Sequence, residues 1–268
     1  MTCGTYILLQ NPLTNNYPYL EVINCCLDIF DEILIVDGGT TDGSFDLLPK
    51  DRRIRIIKRD WPEDAGWDYL CQQYDFGLQN LTTDWRMKMD ADYLFQQEDT
   101  QKIRHLLNES EDKAITFEKS CFSLVDRYRS KTKIVLAVNK NKMPNVIVND
   151  HDQFQNGDKV IYSEDCLTSG IKLYVYDSTF KNKENIKNVM YKWALAAKGK
   201  YGMNWGSESK EAALEYYIKS ARSRIESHNQ NIIKLEEHPI YIQEKIKTMT
   251  EGMAGYSIFG YKKAVYFE

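Results

Sequence analysis

The chain has 268 residues, 43% of them hydrophobic and 28% charged, and a net charge of −4 at pH 7. That length allows one large α/β domain or two small ones, and the acidic balance excludes a nucleic-acid partner, which calls for a basic surface. No window approaches the roughly 18 apolar residues of a membrane span, so no transmembrane segment is expected.

The opening MTCGTYILLQN turns strand-like within a few residues and leaves no room for a signal peptide. Cys3, Cys25, Cys26, Cys71, Cys121 and Cys166 match no zinc spacing and read as reduced thiols, so a cytoplasmic location is expected. Residues 5–11 read as a strand and 17–30 as a helix with Leu20, Ile23, Leu27 and Ile29 on its apolar side. EILIVDGG (32–39) is a continuous apolar run ending in Asp-Gly-Gly, the pattern of a buried parallel strand. A strand over 53–59, a helix over 66–81, a strand from Trp85 and a helix over 98–110 follow. Strands and helices taking turns imply βαβ units and a mainly parallel sheet.

From residue 115 strand candidates dominate: AITFEKSCFSL, KIVLAVNK, NVIVND, KVIYSED and IKLYVYD. Residues 184–198 and 207–228 then turn helical, and the tail AGYSIFGYKKAVYFE is aromatic and strand-like. No linker marks a boundary, so the expected organisation is a nucleotide-binding domain over 1–180 and a helical extension over 181–268 packed on it. The stripe Leu214, Tyr217, Ile218, Ala221 and Ile225 reads as a helix face packed on the domain. His105 and His228 read as surface residues, and Trp61 and Trp67 as packing in a core or cleft wall.

Two acidic motifs fall at predicted strand ends, where open α/β sheets bind ligands. VDGGTTDGS (36–44) closes a buried strand at Asp37 and fits neither a P-loop nor a dinucleotide turn. In WRMKMDADYLF (85–95), alternation puts Trp85, Met87, Met89 and Ala91 on one face and Arg86, Lys88, Asp90 and Asp92 on the other. Two carboxylates about 7 Å apart along a strand call for a positive partner. A hard divalent ion, Mn²⁺ or Mg²⁺, bridging them to a diphosphate meets that need, and an ion pair with Lys88 or Arg86 is the plainer alternative.

IVDGGTTDGS resembles the nucleotide-binding turn of family 2 glycosyltransferases, and DWRMKMDADYLFQQED is similar to their D-x-D segment. YVYDSTFKNKENI and EEHPIYIQEKI are similar to later segments of a bacterial and viral subgroup. The resemblance implies a GT-A fold: a Rossmann-like α/β domain with a central sheet flanked by helices. It implies an inverting transfer of sugar from a nucleoside-diphosphate donor, a UDP-sugar favoured, to a hydroxyl of a glycan or other acceptor. By it, Gln10, Asn11, Asp37, Gly39, Asp42 and Asp90 bind the nucleotide-sugar, and Asp90, Asp92 and Asp177 ligate the metal, with His238 an alternative ligand. The subgroup often has His where this chain has Asp177. The proton-accepting carboxylate is sought in Asp152 and Asp165, with Glu118 third. A catalytically inactive carbohydrate-binding or scaffold domain is the alternative. A sugar-nucleotide nucleotidyltransferase is a weaker one, since LLQNPLTNN lacks the Gly and cation its first loop needs.

Overall fold

The structure, a computed structural model, describes residues 1–62, 65–227 and 230–267; His228, expected at the surface, lies outside them. In chain order the first half forms β1 (Cys3–Leu9), α1 (Tyr19–Leu27), β2 (Glu32–Asp37), β3 (Ile54–Lys58), α2 (Trp67–Asn80), β4 (Trp85–Met89), β5 (Tyr93–Leu94) and α3 (Gln97–Glu109). Strands β3, β2, β1 and β4 lie side by side in that order, all parallel. The apolar runs of β1 and β2 are continuous because both faces of these inner strands are covered. Cys3, Ile7 and Leu9 of β1 join the core with α1, while Tyr6 and Leu8 join a second core with Tyr74 and Leu78 of α2.

The second half adds β6 (Ala114–Leu124), β7 (Arg127–Asn139), β8 (Val146–Asp150), β9 (Gln153–Asn156), β10 (Lys159–Val160) and β11 (Leu167–Val175). β6 and β7 form a hairpin; β7 pairs antiparallel with β4, β11 parallel with β6, and β5 antiparallel with β11. The order is therefore β3-β2-β1-β4-β7-β6-β11-β5, with β8, β9 and β10 in a small separate sheet. Four strand spacings, about 19 Å, separate β4 from β5 along this sheet. The link through residues 90–92 reaches only about 14 Å when extended. The sheet must curl, and the Asp90–Asp92 link crosses its mouth. This is the Rossmann-like α/β arrangement expected of a GT-A fold, with its parallel strands flanked by helices.

Beyond residue 180 come α4 (Lys183–Tyr201), α5 (Lys210–Glu226), β12 (Asn231–Ile232) and α6 (Ile240–Lys247). Asn182 and Ser209 cap α4 and α5 by accepting the N–H of Asn185 and Ala212, and Gly202 ends α4 in the left-handed region. α4 packs on α2 and α5, α5 reaches β6, α6 packs on α1, and β12 extends the sheet beside β7. Leu214, Tyr217, Ala221 and Ile225 are buried, with Ile218 packed against the same core.

Two strand expectations fail. In KVIYSED only Lys159–Val160 pairs, and Ser163–Asp165 is a 3-10 turn. The aromatic tail forms turns with one bridge, Ser257 to Lys263, and its rings close over the core, Tyr256 stacking on Phe267 at 4.1 Å. Aromatic content suits a strand, but here it serves burial without pairing. All six cysteines are free thiols. Among the described residues no helix is long and apolar enough to cross a membrane.

Candidate active site

A cleft of about 570 Å³ opens at the carboxyl ends of β1 and β4, lined by Gln10, Asp90, Asp92, Asp152 and Asp177 among others. The turn after β2 is built beside it. Asp37 accepts the backbone N–H groups of Gly39 at 3.0 Å and Thr40 at 2.7 Å, and its second carboxylate oxygen has no hydrogen-bond partner among the described residues. Gly39 takes φ 94°, a left-handed value that side chains resist. A Cβ on Gly38 would come within 2.9 Å of the Trp61 indole, so glycine there lets the ring lie on the turn. Gln10 Nε2 donates to the Gly38 carbonyl at 3.0 Å, and Asn11 Oδ1 accepts from Thr41 N at 2.8 Å. Asp42 accepts from Thr14 N at 2.9 Å and Ser44 N at 3.1 Å. Asn11 and Asp42 thus lock the loops after β1 and β2 together; of these residues Gln10 lines the cleft, while Asn11, Asp37, Gly39 and Asp42 stand behind its lining.

At the end of β4, Lys88 is 1% exposed, and its Nζ lies 3.2 Å from Asp90 Oδ2 and 3.1 Å from Asp152 Oδ1. The same ammonium rests over the Tyr74 ring, whose hydroxyl donates to Asp90 at 2.8 Å. Lys119 adds a second cation 2.9 Å from Asp152. Burial alone would raise the Asp90 and Asp152 carboxyls, but Lys88, with His151 beside it, outweighs burial and holds both below the usual carboxylate range. The two carboxylates in turn hold the buried Lys88 ammonium above its ordinary pKa.

Asp92 differs. It is 9% exposed, and no donor among the described residues hydrogen-bonds its carboxylate. Burial, with Asp90 and Asp177 adding repulsion against the attraction of Lys181, pushes it up to about 8. Asp177 follows Tyr176, whose N–H bonds the Asp92 carbonyl at 3.0 Å, and Asp177 takes φ 28° with its own carbonyl held by Lys181 at 2.7 Å. A buried carboxylate between two others, without a donor, is the chemical vacancy that a hard cation fits.

The expected metal set is only partly brought together. Asp90, Asp92 and Asp177 line one cleft, but among the described residues the carboxylate group converging to within 4.8 Å is Asp90, His151 and Asp152. Its two carboxylates already hold the Lys88 ammonium. His238 is corrected outright: it lies 1% exposed in an aromatic cage of Phe122, Tyr176 and Tyr266. Tyr266 gives its hydroxyl proton to the Ile233 carbonyl, so His238 Nε2 donates to Tyr266 at 3.2 Å and Nδ1 accepts from Tyr176 at 2.7 Å. Neither nitrogen is left for a metal. Asp165 stands exposed on its 3-10 turn away from the cleft lining. Glu118 alternates with the cleft-lining Lys119 on β6 and points to the other face.

Burial lowers His238 to about 4. Because the fold holds the neutral ring, its contribution is whole above about pH 6.5, declines as pH falls toward 4, and changes no further below that. The loss is about 3 kcal/mol. In urea unfolding at pH 7 and 4.5, before the loss is complete, His238→Gln is expected to show about 2 kcal/mol less acid loss than the unaltered chain; parallel losses would refute the buried neutral ring.

His151 escaped the sequence reading, though it adjoins Asp152 in NDHDQF. Its Nδ1 lies 3.2 Å from Asp152, and its ring meets those of Tyr74, Trp67 and Trp193 at 5.6, 6.0 and 5.4 Å. Trp67 Nε1 and the Tyr201 hydroxyl both donate to Asp150 at 2.5 Å. These contacts tie α4 and the β8–β9 turn to α2 and form a cleft wall, the packing role expected for Trp67.

No curated protein matches the sequence. Among solved structures the chain is similar to residues 1–349 of S. aureus TarS, 12% identical over 82% of this chain and 79% of that one, with a TM-score of 0.45. The UDP complex of that protein aligns at 12% identity over 92% and 78%, TM-score 0.43, and the UDP-GlcNAc complex at 13% over 90% and 79%, TM-score 0.42. The sequence model of glycosyl transferase family 2 matches residues 12–167. That stretch is more than half of the chain and holds both the Asp37 turn and the Asp90–Asp92 link, so the chain belongs to glycosyl transferase family 2.

Proposed function

We propose that the chain is a metal-dependent, inverting glycosyltransferase moving a sugar from a nucleoside-diphosphate donor to an acceptor hydroxyl. Residues 1–180 form its catalytic domain in this reading, and 181–268 an extension that walls the cleft. The observation that carries it is Asp92, a buried carboxylate with no donor at the carboxyl end of the parallel strands. Asp92 and Asp177, with Asp90 beside them, would hold Mn²⁺ or Mg²⁺ through oxygen alone, as these ions prefer. Bound there, such an ion would neutralise charge developing on the leaving diphosphate. Gln10 and the unpaired oxygen of Asp37 orient the nucleoside, and Trp61, lying on Gly38, offers a face to its base.

The acceptor oxygen bonds the anomeric carbon as the carbon–oxygen bond to the diphosphate breaks, the pair of electrons leaving with the nucleoside diphosphate. Asp152 takes the hydroxyl proton. It is 39% exposed toward the cleft, and of the three carboxylates considered it is the one lining it. Held low by Lys88 and Lys119, it is a weak base and takes the proton late, once the attacking oxygen has become acidic. Asp152→Asn is expected to lower transfer by about 10²–10⁴-fold while calorimetric affinity for UDP stays within a factor of about two. Retained transfer would remove Asp152 from the role.

A second reading, a carbohydrate-binding domain without catalysis, draws on Lys88, which already satisfies Asp90 and Asp152. Titration of the chain with UDP, with and without Mn²⁺, followed by a panel of UDP-sugars assayed for hydrolysis, separates the two. Metal-dependent UDP binding with donor turnover supports the transferase; metal-independent binding without turnover overturns it.

A further inference from the structure

The cleft holds more positive charge than its carboxylates meet. Lys88 and Lys119 are engaged by Asp90 and Asp152, and Lys181 by the field of Asp92 and Asp177. Arg129 of β7 and Arg224 of α5 also line the cleft, both half-buried, yet neither forms an ion pair among the described residues. Nε of Arg224 is buried with no hydrogen-bond partner among the described residues. The fold brings the two to one wall. Tyr128, next to Arg129, pairs with Asn231 of β12, and Gln230 before it donates to the Arg224 carbonyl at 2.5 Å. Two cleft-lining guanidiniums with no ion pair among the described residues, one with a stranded donor, are matched by an anion that takes paired N–H bonds.

Register separates this wall from the acidic edge. Tyr93 pairs with Val175, Val175 with Cys121 and Cys121 with Arg129. Three strand spacings, about 14 Å along the curved sheet, thus lie between Arg129 and the residue after Asp92. Arg129 is thus set back from the Asp92 edge, though only two spacings from Val175 beside Asp177, so competition with UDP decides whether the donor reaches it. Trp193 and Trp205 line the same cleft from the extension and offer flat apolar faces suited to a sugar ring.

We infer that this far wall is an acceptor subsite for a hydroxyl compound carrying an anionic group, phosphate or carboxylate, gripped by Arg129 and Arg224. The inference rests on the transferase reading, and its test separates the two. With the full chain saturated in Mn²⁺ and UDP, glucose 6-phosphate, glucuronate and glucose are titrated calorimetrically. One of the two anions is expected to bind at least about tenfold tighter than glucose, and which one does so identifies the group. Arg129→Gln with Arg224→Gln removes that preference, while Arg129→Lys with Arg224→Lys, keeping both charges, retains part of it and controls for folding. Equal affinity for all three probes overturns the subsite. So does displacement of the bound anion by UDP, which would assign the arginines to the donor. Hydrolysis of UDP-sugars by the unaltered chain is read separately: its absence overturns the transferase reading and leaves the probe result as it stands.

Discussion

Asp92→Asn is expected to lower metal-supported turnover of a UDP-sugar by about a thousandfold, the equivalent of roughly 4 kcal/mol of lost charge stabilisation in the transition state. The same change is expected to make the metal-free protein more stable. Asp92 is buried, has no donor, and is raised to about 8 by burial and by its acidic neighbours. A carboxyl raised in the fold contributes stability that is whole below its unfolded pKa of about 4 and is lost as pH rises toward 8. At pH 7 most of that loss has occurred, and an uncharged amide does not suffer it. Lys181 loses a carboxylate in exchange, so the net gain is on the order of 2 kcal/mol. Thermal unfolding at pH 5 and 7.5, with and without Mn²⁺, reads both halves. The variant should gain most at the higher pH and lose the stabilisation that Mn²⁺ confers. Full activity, or a variant less stable than the unaltered chain at pH 7.5, would remove Asp92 from the cation site. Stability withheld at a strand end and recovered on loading is what distinguishes a binding carboxylate from a structural one.

The acidic link was legible because both of its signals are local. A buried parallel strand shows as an apolar run, and a ligand-side turn shows as the Asp and Gly that end it. Asp37 with Gly39, and Asp90 with Asp92, are read from a few consecutive residues. Alternation in β4 likewise put Lys88 on the face of Asp90, where its ammonium is found. What alternation could not supply is Asp152, which meets the same ammonium from a turn 64 residues later. His238 fails for the same reason: EEHP says nothing of Tyr176 and Tyr266, which come from β11's end and from the tail to close both ring nitrogens. The tail was misread because aromatic residues favour strands only where a partner edge is free. Here β7 takes β12 as its partner, and the tail folds over the core. Arg129 and Arg224 were silent in the sequence, since an unpaired arginine is recognised only by the carboxylates that fail to meet it.

The positive partner that the acidic link calls for is thus divided between a fixed cation and an exchangeable one, and Lys88→Met tests the division. Its ammonium is the fixed cation, buried between Asp90 and Asp152 and lying over Tyr74. Methionine fills the stem but leaves two carboxylates facing each other. Breaking a buried pair costs about 3–5 kcal/mol, and because Asp152 stays 39% exposed, with Lys119 still beside it, about 3 kcal/mol is expected at pH 7. The dependence on pH follows from the shifts. In the unaltered chain both carboxyls are lowered, so their stabilisation is whole above about pH 4 and fades only below it. Without Lys88 their repulsion and burial raise them, so acid relieves the variant and the gap between the two proteins narrows as pH falls from 7 toward 4. Mn²⁺ should act differently on the two. With the ammonium gone, Asp90, His151 and Asp152, whose ligand atoms lie within 4.8 Å of one another, become free to hold the ion. Added Mn²⁺ is therefore expected to restore stability to Lys88→Met beyond what it adds to the unaltered chain. Urea unfolding at pH 7 and 4.5 with and without Mn²⁺ measures all of this. A loss that is the same at both pH values and untouched by the metal would mean that Lys88 acts through packing alone, leaving Asp90 and Asp152 free to join Asp92 in holding the catalytic ion.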